Sequence, residues 1–307
     1  MTTRRRDEQL WHTTETGLVI PIGMASDFSE TSTETYLEIK EKAKSIERIY
    51  ADNNISLPPT CDLACLIGDA KVLSDSWLTN NTDVTTHQLL FRVSLLNRIA
   101  DAILLLPEAE ASDRVKFLTV FTSGSLNLQQ RDNSLAKNML WELELWSILR
   151  RRSFSATLRE PPDIVVIFEG AMVGIACKKL YSENNVEKVL SEAVGQIEAV
   201  FDYGIVAVNL DDLILPDQIL KARDQEEMGK IISDLNLAFL NRHKRHFRKY
   251  LVPGRLLSAI VSTTVLAETY NQRPRFNVAQ QATIWAIPGL PREKKKQLQR
   301  FYAQLMK

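Results

Sequence analysis

The chain has 307 residues, 45% of them apolar and 25% charged, with 38 Lys/Arg against 38 Asp/Glu. That is the balance of an ordinary globular protein with length for two domains, and it excludes a chain that is disordered throughout. No apolar run reaches the roughly 18 residues a membrane span needs; the nearest, 251–267, is interrupted by Pro253, Gly254 and Arg255.

At the N-terminus, residues 1–6 hold three arginines, but no apolar stretch follows them and no secretory signal is read. Three cysteines make no disulfide framework. Cys61 and Cys65 are spaced i, i+4 without further ligands at finger-like spacing, His87 being the nearest, so both are expected as buried apolar groups. A reducing cytoplasm and no membrane contact are the corresponding expectations.

The first 130 residues read as mostly helical. Residues 33–51 place Tyr36, Ile39, Ala43, Ile46 and Ile49 on one stripe, behind a Ser/Thr-rich capping region. Pro58-Pro59 breaks the chain, and further helical patterns cover 87–106 and 112–121. No motif that carries chemistry lies in this part.

From about residue 133 the character changes. A helix over 134–152 is followed by a strand-like run at 163–168, a turn at Glu169-Gly170, and a second and third strand within 172–180. A helix over 186–201 and a buried strand over 204–209 complete an α-β-β-β-α-β order, an α/β core with a central mixed sheet flanked by helices. Beyond Pro216 come a helix to about Tyr250, strands at 256–267 and 282–287, and a basic helix over 291–306. The expected organisation is a mainly helical domain at 1–130, for recognition, regulation or oligomerisation, and an α/β domain at 131–307 with a basic C-terminal extension.

The zero net charge conceals a split. Residues 235–307 hold 14 Lys/Arg against Glu268 and Glu293, which leaves the first 234 residues as acidic as these are basic. Arg242, Lys244, Arg245, Arg248, Lys249 and Arg255 accumulate where no acid intervenes, and His243 and His246 lie among them. Such a run points to a polyanion such as nucleic acid, or to a helix face balanced by acidic neighbours in the fold.

On the helix over 134–152, Glu142 falls within about 60° of Leu135, Met139, Leu145, Trp146 and Leu149, the centre of the apolar arc. A carboxylate there is costly unless a cation or donors meet it. Glu144 projects to the outer face with Ser147 and Arg151. Pro161-Pro162-Asp163 leads into a strand, so Asp163 stands either at a site or at a strand-start turn. Thirteen positions on, in Ile175-Ala176-Cys177-Lys178-Lys179, alternation puts Ile175 and Cys177 toward the core and Ala176 and Lys178 on the opposite side.

A helix glutamate, a Pro-Asp at a strand start and a lysine on the next strand together resemble the PD-(D/E)xK, or restriction-endonuclease-like, nuclease superfamily. The likeness covers about 133–210. Pro162-Asp163 matches the first half of the motif, Glu142 the helix position and Lys178 the lysine, but Ala176 stands where the family has an acid. The neighbouring register, Cys177-x-Lys179, offers none either. Glu169 and Glu183 are the acids that would otherwise have to supply it. Gln196 falls on the following helix, where some branches of the superfamily place a glutamine beside the substrate phosphate; an exposed helix residue is the alternative reading.

The resemblance implies phosphodiester hydrolysis of nucleic acid, DNA before RNA, with Mg²⁺ (or Mn²⁺) held by Asp163 and Glu142 and with Lys178 acting on the attacking water. It further implies a homodimer or a partner subunit, and by analogy a role in restriction or anti-phage defence. Without the acid at 176 the chain is expected to be inactive or nearly so. A deliberate acid-to-alanine change and a natural pseudo-nuclease that binds without cutting both account for Ala176, and the intact remainder of the motif favours the former. A non-catalytic binding subunit is the competing function.

Overall fold

The computed structural model describes residues 7–13, 19–32, 34–79, 86–128, 130–214, 219–271 and 276–305. Among the described residues nine strands form one mixed sheet: β1 (Asp7–Thr13), β2 (Val19–Ser32), β3 (Ser155–Leu158), β4 (Ile164–Phe168), β5 (Ala171–Lys179), β6 (Gly204–Asn209), β7 (Ile219–Ala222), β8 (Leu256–Thr269) and β9 (Phe276–Ala286). Their spatial order is β1-β2-β9-β8-β6-β5-β4-β3. β3, β4 and β5 run antiparallel, β6 lies parallel between β5 and β8, and β9, β2 and β1 continue antiparallel from β8. β8 is long enough for β6 to pair with its first half and β7 with its last four residues.

The α-helices of the described residues cover the sheet: α1 (Tyr36–Asp52), α2 (Asp62–Leu78), α3 (His87–Ile103), α4 (Ala111–Ser123), α5 (Leu135–Arg151), α6 (Val186–Glu198), α7 (Gln225–Leu251) and α8 (Arg292–Leu305). Strand alternation divides the core between two faces. Ile175, Cys177, Ile205, Ala207, Ile260 and Ile284 pack with α1 to α5 and α8. Ala176, Val206, Val208, Ala259, Val261 and Trp285 pack with α6 and α7. None of the helices, among the described residues, is long and apolar enough to cross a membrane.

Several elements follow from local chemistry. Thr35 and Glu38 close a capping box at the start of α1, the Thr35 amide donating to the Glu38 carboxylate at 2.6 Å. Glu169 and Gly170, both at positive φ, form a two-residue turn that pairs Phe168 with Ala171. Residues 171–179 are therefore one continuous strand where two were expected, and the third strand of the α-β-β-β-α-β order is β3, ahead of the Pro-Asp.

The N-terminal part departs from the helical reading in two ways. β1 and β2 join the sheet through β9, so the sheet draws on both sides of residue 130. α2 begins just after the Pro58-Pro59 break, with Cys61 as N-cap, its Sγ accepting from the Ala64 amide at 3.4 Å. Cys61 is half-buried against the core and Cys65 exposed, which corrects the expectation of two buried thiols: α2 turns Leu63, Leu66, Ile67, Ala70 and Leu73 inward instead.

α5 is the axis of the molecule. Its Trp141 indole donates to the Ala207 carbonyl on the sheet at 3.2 Å, and its other side is covered by the N-terminal helices, so Glu144 and Ser147 are both buried. Of the expected outer face only Arg151, at the helix end, is exposed. A helical wheel assumes one solvated side, and here a second layer of helices occupies it.

Candidate active site

Asp163 immediately precedes β4, and the pairing of Ile164 with Ile175 sets it across from the end of β5. Its Oδ2 accepts the backbone N–H of Cys177 at 2.6 Å, and the residue is 7% exposed. Gly174 makes this approach possible: a Cβ there would come within 2.8 Å of Pro162 and 2.7 Å of Phe201. Glu142 on α5 and Lys178 on β5 are each half-buried and within electrostatic reach of Asp163.

The charges of these three act on one another. Burial raises the Glu142 carboxyl to about 8, with repulsion from Asp163 and Glu160 adding to it and Lys116 and Lys178 opposing. Asp163 is also raised, by burial first, against the pull of Lys178 and the Cys177 amide. Two carboxylates thus share a poorly solvated spot with less cationic compensation than their charges call for. Mg²⁺ prefers oxygen ligands, and a divalent cation would relieve such a pair.

The remaining residues of the expected site are distributed as follows. Ala176 is 0% exposed and belongs to the apolar cluster that α6 and α7 build, so the side of β5 opposite Ile175 is core as well, up to Lys178 where the cover ends. Gln196 lies on α6, half-buried rather than exposed, with Oε1 buried and without a hydrogen-bond partner; it is not among the groups acting on Glu142 or Asp163. Glu169 and Glu183 are engaged elsewhere, Glu169 with Arg300 at 2.8 Å and Glu183 with Arg242 and His243, each at 2.7 Å. Among the described residues no group of three His, Cys, Asp or Glu side chains is placed to hold a metal ion.

The basic run is largely paired. Besides Arg242, Lys249 meets Glu187 at 3.4 Å and Arg255 pairs with Glu198, all three acids coming from α6 or the turn before it. His246 lies 3.7 Å from Glu187, and Arg245 donates to His246 at 3.3 Å. Lys244 and Arg248 sit on the same helix, half-buried. Of the two meanings open to this run, a face balanced by acidic neighbours describes Arg242, Lys249 and Arg255.

Two residues that the sequence did not single out stand at the site. Glu160, just ahead of Pro161-Pro162, acts on both Glu142 and Asp163, and it pairs with Lys116 of α4. Glu160 had a local signal, an acid three residues before Asp163. Lys116 had none. Compared with known protein families, characterised proteins and solved structures, the chain matches none.

Proposed function

We propose that this is a phosphodiester-cleaving centre of the PD-(D/E)xK kind, acting on nucleic acid, DNA in the first place, and disabled in this chain at position 176. The observation that carries the reading is the convergence of Glu142, Asp163 and Lys178 from one helix and two paired strands. The order α5-β3-β4-β5-α6-β6, with β5 and β6 parallel, supports the restriction-endonuclease-like fold as its frame.

Asp163 and Glu142 would hold Mg²⁺ or Mn²⁺, which supplies an activated water and offsets charge on the scissile phosphate. Asp163 is oriented for this by the Cys177 amide, which fixes one oxygen and leaves the other for a ligand. Lys178, half-buried beside the carboxylates, orients the attacking water and meets the charge that grows on the phosphate oxygens. Ala176 contributes neither oxygen nor charge. Cation affinity is accordingly low and turnover negligible.

The burial of Ala176 in an apolar cluster favours a second reading, a non-catalytic nucleic-acid-binding subunit whose site has closed over. One assay separates the two: plasmid, single-stranded DNA and RNA are incubated with the chain and with Ala176→Glu, in Mg²⁺ or EDTA. Cleavage by the glutamate form alone, lost in EDTA and on Asp163→Ala or Lys178→Ala, is the expected result. No cleavage by a folded Ala176→Glu or Ala176→Asp protein on any substrate would sink the nuclease reading.

A further inference from the structure

Arg242, Lys249 and Arg255, three of the six expected nucleic-acid contacts, are paired with Glu183, Glu187 and Glu198, which turns attention to cations nearer the carboxylates. Lys116 is the candidate the fold supplies. It projects from α4, its side chain is about half exposed, and it pairs with the exposed Glu160. Its ion pair with Glu160 holds the ammonium beside the segment that leads into Asp163, and its charge is among those that act on Glu142 and Asp163. Arg242, Lys249 and Arg255 are not among the charges that act most on either carboxylate.

We propose that Lys116 is a phosphate-contacting residue of this site, contributed by the N-terminal helices and held by Glu160 until a nucleic-acid backbone displaces that carboxylate. This rests on the reading of the site as one for phosphodiesters. The exchange is physically inexpensive, because an exposed ion pair contributes little in water. A phosphate offers Lys116 an equivalent partner, while the freed Glu160 remains in water. It also gives the N-terminal layer a part in substrate binding.

The test is binding rather than cleavage. The anisotropy of a labelled duplex and of a single strand is measured in EDTA and in Ca²⁺, from about 50 to about 200 mM salt. Lys116→Ala is expected to weaken binding several-fold at low salt and to lower the slope of log K against log salt by about one. Lys116→Arg keeps both. Glu160→Gln tightens binding, since it frees the ammonium, and Lys71→Ala, a lysine paired with Glu47 on the outer helices, leaves both unchanged. If the parent binds but Lys116→Ala matches it in affinity and slope, or Glu160→Gln fails to tighten, this proposal falls alone. If the parent binds no oligonucleotide in either condition, the nucleic-acid reading falls with it.

Discussion

Two groups of charge stand on the same two elements and resolve oppositely. Glu142 and Lys178 belong to the candidate site; Glu144, two residues along α5, and Lys179, next on β5, belong to a buried network. In that network Arg98 of α3 donates to Glu144 at 2.8 Å and meets Asp211 at 2.6 Å, while Lys179 bonds Asp212 at 2.6 Å and Asn209 at 2.8 Å. Burial opposes the charge of Asp211, yet Arg98, Lys179 and the Thr264 amide overcome it and hold the carboxyl below its ordinary value. Burial prevails at Glu144, which is raised despite Arg98. In the network every carboxylate has a cation within bonding distance. At the site Glu142, raised by burial, has no hydrogen bond or ion pair among the described residues, and a carboxyl in that state lowers stability unless a ligand meets it.

The sharpest way to break the comparison is to remove the network's central cation. Arg98→Met leaves Glu144 and Asp211 buried without their partner, and breaking a buried pair costs about 3–5 kcal/mol. Urea unfolding monitored by tryptophan fluorescence should show a loss of that order. A loss below about 1 kcal/mol would mean that the network is well solvated and that the contrast with the site is one of degree.

Glu142→Gln should do the reverse. The carboxyl has its proton in the folded protein up to about 8, against an ordinary value of 4.5. Between those values the folded state binds more protons than the unfolded one, so stability falls as pH rises through the window and levels off above it. Glutamine removes that dependence. The variant is expected to match the parent near pH 4 and to exceed it by about 1–3 kcal/mol near pH 8. Parallel stability curves for the two proteins from pH 4 to pH 9 would show that Glu142 is not held in its neutral form by the fold.

How much of this was legible in the sequence depends on the range of the interaction. Glu142 could be placed inside because the apolar arc of α5 surrounds it, and the β4–β5 hairpin because Glu169-Gly170 separates two runs of strand-forming residues. Glu144 was misplaced because the wheel carries no knowledge of α3, and Arg98 lies 46 residues away. β2 was unreadable as a strand: its Ser/Thr-rich end resembles a helix-capping region, and the strand that ties it into the sheet, β9, lies more than 200 residues on. The basic run on α7 was visible as charge, but the acids that neutralise it lie about 60 residues earlier on another helix. Lys116 and Glu160 are 44 residues apart and meet only because α4 packs on α5.

The smallest effect concerns the clasp between α6 and α7, a third way of arranging charge that lies between the other two. Hydrogen bonds from Arg242 and His243 lower the Glu183 carboxyl, so its contribution to stability is present above the ordinary carboxylate range and is lost as pH falls through it. The pair is partly exposed, and solvent screening limits its worth to under about 1 kcal/mol. Glu183→Gln should therefore barely move the melting temperature at neutral pH. It does release Arg242 and leaves α7 with one more uncompensated cation. If that face touches a nucleic-acid backbone, duplex affinity rises at low salt and the salt dependence steepens by up to about one. Unchanged affinity at unchanged stability would make the α7 run an internal counter-charge to α6, and would leave the neighbourhood of Glu142 and Asp163 as the surface on which a phosphate backbone is read.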